Sequence, residues 1–434
     1  MIVIAGVIAG SVYMTLPKFI PYFQSNTQSL YWIIGLGLLA RLLLMIPDPF
    51  LEIDYVRYFW DGAVINVGFS PYRWSPEQVI SGNAPEELIV LAQQSNGLID
   101  QINYPYVSTI YPPLAQAIFA LTNWISPWDL MVWKLVILMF DGITAVLLYV
   151  ILRQIGRPPV WLIIYWWNPI VIVEFSNAAH MDVLLLPFLV GAFYLTLKGR
   201  ATFVQGGLLA CATAVKLWPV LLLPLFIRTN SDKRKTVLVI VSFTIMSTFL
   251  LWPFLVQTLI PASGLHAYGV GWENNAALFH ILLAGLTLAF DSFGLFDLDT
   301  DRVLRTCVGL TIILIALGLN VRASIVPGDP QIMARRIILV IAALLLLGPT
   351  MYPWYYTWMV PFLAILPLRS MLIFSAVLPL YRLQFHPWFM ENSWVFQDII
   401  VWLEQGPVLI LLALECRREW KTDRARSRNN RYAA

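Results

Sequence analysis

Charge is what this 434-residue sequence has least of. Asp, Glu, Lys and Arg make up 12% of it against 59% hydrophobic residues, and its mean hydropathy is +0.72, whereas soluble domains carry about 25% charged residues. That scarcity excludes a soluble enzyme and points to a polytopic membrane protein embedded in a lipid bilayer. Cysteine is also rare. Cys211, Cys307 and Cys416 lie far apart, the first two in apolar segments, and offer neither a disulfide framework nor a metal-ligand spacing. His180-x-Asp182 lacks the further ligands of a zinc site, so neither metal nor cofactor is expected. The P-loop lysine signature and the Gly-rich strand-to-helix fingerprint are both missing. That argues against a soluble nucleotide-sugar or NTP domain, and no nucleic-acid partner is expected.

What is present is a succession of apolar runs of helical length, near 2–16, 30–46, 131–152, 160–175, 182–197, 236–259, 303–321, 337–348, 355–367 and 395–415, with shorter ones near 114–126, 203–227, 276–290 and 371–384. At about 20 residues per span they predict roughly 10–13 membrane helices. Many of the 18 Trp and 18 Tyr stand at segment ends, as in the aromatic belts of membrane interfaces. Residues 2–16 have no basic region before them and no small-residue cleavage site after them, and read as a retained first helix.

Basic residues orient the chain. Arg153 and Arg157, then Lys198 and Arg200, then Arg228, Lys233, Arg234 and Lys235 against Asp232, mark three connectors as cytoplasmic. The tail 416–434, with seven Arg or Lys against Glu419 and Asp423, joins them. Segment 47–112 is the opposite case, with eight acids and only Arg57 and Arg73 as bases, and is placed outside. Residues 203–227 lie between two basic connectors yet hold about one helix of apolar sequence, so they read as a broken or re-entrant helix turning at "VKLWP".

The outside loop carries a helical stripe, Asp54, Arg57, Tyr58 and Asp61, opposite Val56, Phe59, Trp60, Ala63 and Val67. This predicts a helix lying flat on the membrane with its carboxylates turned from the lipid. A second helix is predicted from "NAPEELIVLAQQ", with Asn83 as cap and Pro85 in the first turn. A surface ion pair is the plainer account of the stripe, as interface packing is of "PWYYTW". Other polar groups nevertheless gather at outer helix ends: Glu174, His180 and Asp182; Glu273 and Asn274; Tyr352, Trp354 and Tyr355; Arg382 and His386. Arg41, Lys134, Asp141 and Lys216 are charges within apolar segments, where burial is costly. Lys134 can snorkel to an interface and Asp141 can partner a base, but a lysine at a helix break calls for an anion.

An acidic outer loop over a basic membrane cavity suits a reaction whose leaving group is a lipid-held phosphate. Lys216, Arg57 and Arg382 are the candidates to neutralise that phosphate. Asp54, Glu52 and Asp61 are the candidate catalytic carboxylates, since one of them can take the acceptor hydroxyl proton at a sugar C1. Direct displacement there inverts the anomeric centre. His180, Asp182, Glu273, Asn274, Tyr352, Trp354 and Tyr355 are candidates for the sugar and acceptor pocket.

"EIDYVRYFWDGAVINVGFSPY", "IYPPLAQ", "WWNPIVIVEFSNAAHMD", "GLLACATAVKLWPVLLLP" and "MYPWY" together resemble the GT-C glycosyltransferases. Within them the likeness is to the polyprenol-phosphate-mannose-dependent mannosyltransferases related to the catalytic subunit of GPI mannosyltransferase I and to bacterial membrane enzymes. The resemblance implies an all-α polytopic GT-C fold, with 1–415 a single transmembrane domain, 47–112 its extracytoplasmic catalytic loop, and 416–434 a cytoplasmic tail. It puts the second Asp of the family's Asp-x-Asp on Asp54, the first on Glu52, and the broken-helix lysine on Lys216. It implies a polyprenyl-phosphate-mannose donor and a lipid or glycan acceptor, and leaves room for a small membrane partner subunit. A bacterial plasma membrane with the site facing the periplasm or exterior is expected, since the tail has no ER-retention signal; the alternative is an ER membrane with a lumenal site. A secondary transporter or lipid flippase also uses intramembrane charge and broken helices, but no second "VKLWP" is present. A catalytically inactive scaffold of the same fold is the remaining alternative.

Overall fold

The computed structural model describes residues 1–23, 26–199, 203–228, 233–258, 264–295, 298–321 and 329–432, and among them there is no strand, only an isolated bridge between Asn274 and Thr350. Arg200 and Asp232 of the basic connectors lie outside the described residues. The protein is an all-α polytopic membrane protein.

The apolar runs divide into two classes. Among the described residues seven helices are long and apolar enough to cross a membrane: Ile2–Tyr22, Thr27–Met45, Leu130–Gln154, Lys233–Gln257, Thr300–Leu319, Pro330–Leu347 and Ser393–Glu419. An eighth span arises if Pro159–Trp166 and Pro169–Asn177, bent by 57°, are taken as one. Met181–Leu197, Phe203–Val215, Trp218–Arg228 and Ala277–Ser292 are shorter. Full-length spans are therefore fewer than the 10–13 helices expected from hydropathy, because polar and proline interruptions cut apolar sequence into short pieces. At one, the Asn168 side chain accepts from the Ile170 and Val171 amides and starts a new helix at Pro169. At another, Phe203–Val215 ends just before Lys216, and the chain resumes as a tight turn at Trp218 and Pro219. The final helix, Val401–Tyr432, carries through residue 416 without a break.

The intramembrane charges are mostly structural ties. Arg41 meets Asp141 at 2.6 Å, donates to the Trp166 carbonyl at 2.7 Å, and stacks on the Trp166 ring, while the Tyr165 hydroxyl donates to Asp141. Lys134 donates to the carbonyls of Met45 and Pro47, at the C-terminal end of Thr27–Met45, where a cation meets the negative end of the helix dipole.

The loop helix Asp54–Asn66 does not lie flat with one face toward lipid. Val56, Trp60 and Val64 are covered by Val79, Leu88, Leu91 and Ile99, which come from the loop's own short elements Pro76–Ile80, Glu86–Gln94 and Ile99–Gln101. On the other side Tyr58 stacks on Phe119 at 4.7 Å and meets Trp133. The loop thus supplies its own apolar cover, and the helix is buried between it and the bundle. Two local details also differ from the sequence reading: Pro85, not Asn83, stands at the N-cap position of Glu86–Gln94, which has no side-chain capping bond, and Pro76–Ile80 begins with an unanticipated capping box of Ser75 and Gln78.

Gly62 sets how closely the loop helix approaches Pro113–Ile125. A Cβ there would lie 2.5 Å from the Phe119 carbonyl oxygen, whereas one at Gly142 would meet nothing within 4 Å. Gly62→Val is therefore expected to lower the melting temperature of the detergent-solubilised protein markedly, and Gly142→Ala to leave it unchanged or raise it slightly. Equal melting temperatures would show that the two helices can part without cost.

Candidate functional site

At the end of the bundle bearing the first loop lies a cavity of about 750 Å³. Its walls come from the first loop, the Lys216 break, the turn at 272–274, and the segments 348–358 and 381–385. Pockets of about 300–1,000 Å³ accommodate small organic ligands.

Asp54 opens the loop helix, so its carboxylate stands at the positive end of the helix dipole. Its side chain is 24% exposed. The Asn103 amide donates to Oδ1 at 3.4 Å, and His180 Nδ1 lies 3.9 Å from Oδ2. Burial raises the Asp54 carboxyl above the ordinary carboxylate range; Asp182 adds to this, while the Asn103 hydrogen bond, Lys216 and Arg57 oppose it. Glu52, in the same wall, is pushed up to about 8, first by burial and then by repulsion from Asp54 and Glu174, with Arg382 opposing. At neutral pH a carboxyl held up to about 8 is mostly protonated, so Glu52 is better suited to donate a hydrogen bond than to take a proton. Because its folded value exceeds the unfolded one of 4.5, wild-type stability falls as pH rises between these two values. Glu52→Gln removes that loss and is expected to raise the melting temperature more at pH 8 than at pH 5. Equal gains at both values would overturn the assignment of a neutral Glu52.

His180 is fully buried behind Asp54. Its position depends on a strained residue, since Ala179 has φ +60 and its carbonyl accepts from the Trp133 indole at 2.8 Å. The imidazole stacks on Trp354 at 3.8 Å, and Trp354 stacks on Tyr352 at 4.5 Å. His180 Nε2 is 3.4 Å from Glu174 Oε2, and the other Glu174 oxygen accepts from Arg382 at 2.5 Å. Asp54, His180, Glu174 and Arg382 thus stand in a row, of which only the Glu174–Arg382 contact is a hydrogen bond; both His180 nitrogens are buried without one.

Lys216 reaches the cavity from the helix break. Its ammonium pairs with Asp182 at 2.5 Å and lies 4.1 Å from the Tyr355 ring and 4.7 Å from that of Trp358. The Trp358 indole donates to the same Asp182 oxygen at 2.7 Å. The Lys216 side chain remains 21% exposed and lines the cavity.

The structure thus brings Glu52, Asp54, Arg57, Asp182, Lys216, Glu273, Asn274, Tyr352, Trp354 and Tyr355 to one cavity, with His180 directly behind. Arg57 is partly committed, donating to the Tyr104 and Val107 carbonyls at 3.2 and 2.9 Å. Arg382 is 8% exposed and engaged with Glu174. Asp61 is not at the cavity: it is buried and accepts from Gln116 at 2.8 Å, which also donates to Thr109. Seven residues beyond Asp54 on a helix place it about 10 Å further along. Burial raises its carboxyl as well. Asn103 and the pairing of Glu174 with Arg382 had no signal in the sequence; Trp358 had one as the last residue of "PWYYTW", and it lies in the turn that follows the short helix Pro353–Tyr356. Among the described residues no three His, Cys, Asp or Glu side chains gather so as to hold a metal.

A family model described as alpha-(1->6)-mannopyranosyltransferase, N-terminal domain, matches residues 3–230. No curated protein matches the chain. The matched part contains Glu52, Asp54, His180, Asp182 and Lys216, while the opposite wall from Trp272 onward lies beyond it.

Proposed function

We propose, from the premise that the chain belongs to the alpha-(1->6)-mannopyranosyltransferase family and so is a membrane mannosyltransferase, that its donor is mannose on a polyprenyl phosphate. The observation that carries this reading is the mixed lining of the cavity. Glu52, Asp54 and Asp182 bring carboxylates to it, Lys216 a cation, and Leu217, Ile312, Leu344 and Leu345 apolar surface, the last three on the apolar helices Thr300–Leu319 and Pro330–Leu347. An amphiphile with a phosphate between a sugar and an isoprenoid chain needs those three kinds of surface.

In this reading the acceptor hydroxyl oxygen attacks the mannose C1 and the C1–O bond to phosphate breaks. The bonding pair leaves on the polyprenyl phosphate, whose charge Lys216 offsets, and Asp54 takes the hydroxyl proton. A single in-line displacement inverts C1. Glu52, neutral, is placed to donate a hydrogen bond to the sugar or to the leaving oxygen. His180, 3.9 Å behind Asp54, is near enough to act on the charge of that carboxylate without a hydrogen bond to it.

The site is proposed to face away from the cytoplasm, in a bacterial plasma membrane. Lys134, at the cavity end of Leu130–Gln154, and Arg153, on its last turn, are separated by about 28 Å of helix, close to a bilayer's hydrocarbon thickness. The basic connectors therefore belong to the far side. The donor is tested by offering the purified protein radiolabelled mannose either on polyprenyl phosphate or on a nucleoside diphosphate, with host lipid extract as acceptor. Label is expected in product only from the lipid donor; transfer from the nucleotide alone would overturn the proposal.

A further inference from the structure

We propose that Tyr104 and Trp272 form a platform at the cavity mouth that binds the pyranose ring of a saccharide acceptor and directs its hydroxyl to Asp54. This rests on reading the cavity as the site of mannosyl transfer. Both rings line the cavity, and they come from segments far apart in sequence, meeting at 4.4 Å with planes 34° apart. Tyr104 is 44% exposed. A large, exposed aromatic ring in the wall of a cavity that also carries polar and charged groups calls for a partner with an apolar face and polar edges. A sugar ring has both: C–H groups across its face and hydroxyls around its rim. The residue next to each ring supplies a partner for the rim, the Asn103 amide beside Tyr104 and the Glu273 carboxylate beside Trp272, one oxygen of which meets His280 at 2.9 Å. A polyprenyl tail would have no use for those two groups.

Each ring is held from behind by an arginine. Tyr104 has φ +55, uncommon for a bulky side chain, and Arg57 holds that turn by donating to the Tyr104 and Val107 carbonyls. Across the mouth, Arg305 donates to the Trp272 carbonyl at 3.0 Å and is itself paired with Asp301 at 2.6 Å. Backbone strain persists where surrounding contacts enforce it, and here two independent anchors aim two rings at one place. Asn103, adjacent to Tyr104, donates to Asp54, so the loop that carries the platform also touches the proposed base. The distance from platform to base is thereby set by one short segment.

The test is equilibrium binding of α-(1→6)-linked mannobiose, without donor, to the full-length detergent-solubilised protein, followed by saturation-transfer NMR and calorimetry. Tyr104→Ala and Trp272→Ala are each expected to weaken binding about tenfold or more, consistent with loss of a ring contact worth about 1.4 kcal/mol. Tyr104→Phe and Trp272→Phe, which keep a ring, are expected to stay within about threefold of wild type on the same scale. Absence of binding by the wild type, unchanged binding in the alanine variants, or equal loss in alanine and phenylalanine variants would each overturn the platform. Because no donor is present, these outcomes are separate from the donor experiment: mannobiose binding without lipid-donor transfer would fault the donor reading and leave the platform standing.

Discussion

Asp54→Asn is expected to lower mannosyl transfer about a thousandfold, within the 10²–10⁴ range of a positioned general base, while leaving the melting temperature close to wild type. Asparagine has nearly the same shape, and its carbonyl oxygen can still accept the Asn103 hydrogen bond. What it loses is the ability to take a proton. The raised Asp54 carboxyl fixes the pH dependence: the ionised, active form is lost as pH falls through a value above the usual carboxylate range, so the acid limb of the rate profile lies at higher pH than an exposed aspartate would give. His180→Gln is expected to cost less, about tenfold, and to shift that limb, because His180 is buried and meets Asp54 without entering the cavity. The measurement is initial-rate transfer of labelled mannose from polyprenyl-phosphate mannose against pH. Retention of more than a tenth of wild-type activity by Asp54→Asn would remove Asp54 as base. A profile unchanged by His180→Gln would separate the histidine from the chemistry.

Lys216→Met should damage both catalysis and stability, and a second substitution should separate the two effects. Methionine approximates the stem of lysine without its charge, so Asp182, almost wholly buried, would be left, among the described residues, with the Trp358 indole as its side-chain donor. Breaking a buried ion pair from one side costs about 3–5 kcal/mol. The single variant is therefore expected to melt several degrees lower and to lose transfer by at least about a hundredfold, comparable to removing one electrostatic stabiliser of a developing charge. Adding Asp182→Asn removes the unpaired carboxylate, and the double variant is expected to recover most of the melting temperature but not the rate. Recovery of the rate would mean that Lys216 serves only to neutralise Asp182 and does not act on the donor phosphate.

Local pattern made part of this site legible. Asp54 could be placed at the start of a helix because the apolar spacing begins there, and Lys216 stood out because a lysine followed by "LWP" interrupts an apolar run. Pairings across the chain could not be read that way. Glu174 and Arg382 meet across 208 residues of sequence, and Trp358 reaches Asp182 across 176; nothing near any of these residues signals its partner. The stripe from Asp54 to Asp61 was real as a helical face but misleading as a site, because two turns of helix carry Asp61 away from the cavity to Gln116. The flat-lying helix was misjudged for a related reason. Its apolar face implied a cover, and lipid was the nearest one to assume, whereas the cover comes from residues 79–102 of the same loop. The all-α membrane fold needed only composition and run length. The count of full-length spans needed the proline and asparagine breaks, whose outcome depends on which neighbours satisfy the freed backbone.

The tie between Arg41 and Asp141 joins residues 100 positions apart, which makes the first part of the chain dependent on the order of its own synthesis. At about 5–20 residues per second, Arg41 leaves the ribosome roughly 5–20 s before its counter-ion exists. During that interval Thr27–Met45 carries an arginine that hydrocarbon tolerates poorly. The helix is thus expected to linger at the translocon or the membrane surface and to settle only when Leu130–Gln154 arrives beside it. A nascent chain truncated before Asp141 should show incomplete insertion of Thr27–Met45, and one extended past Tyr165 should insert it fully.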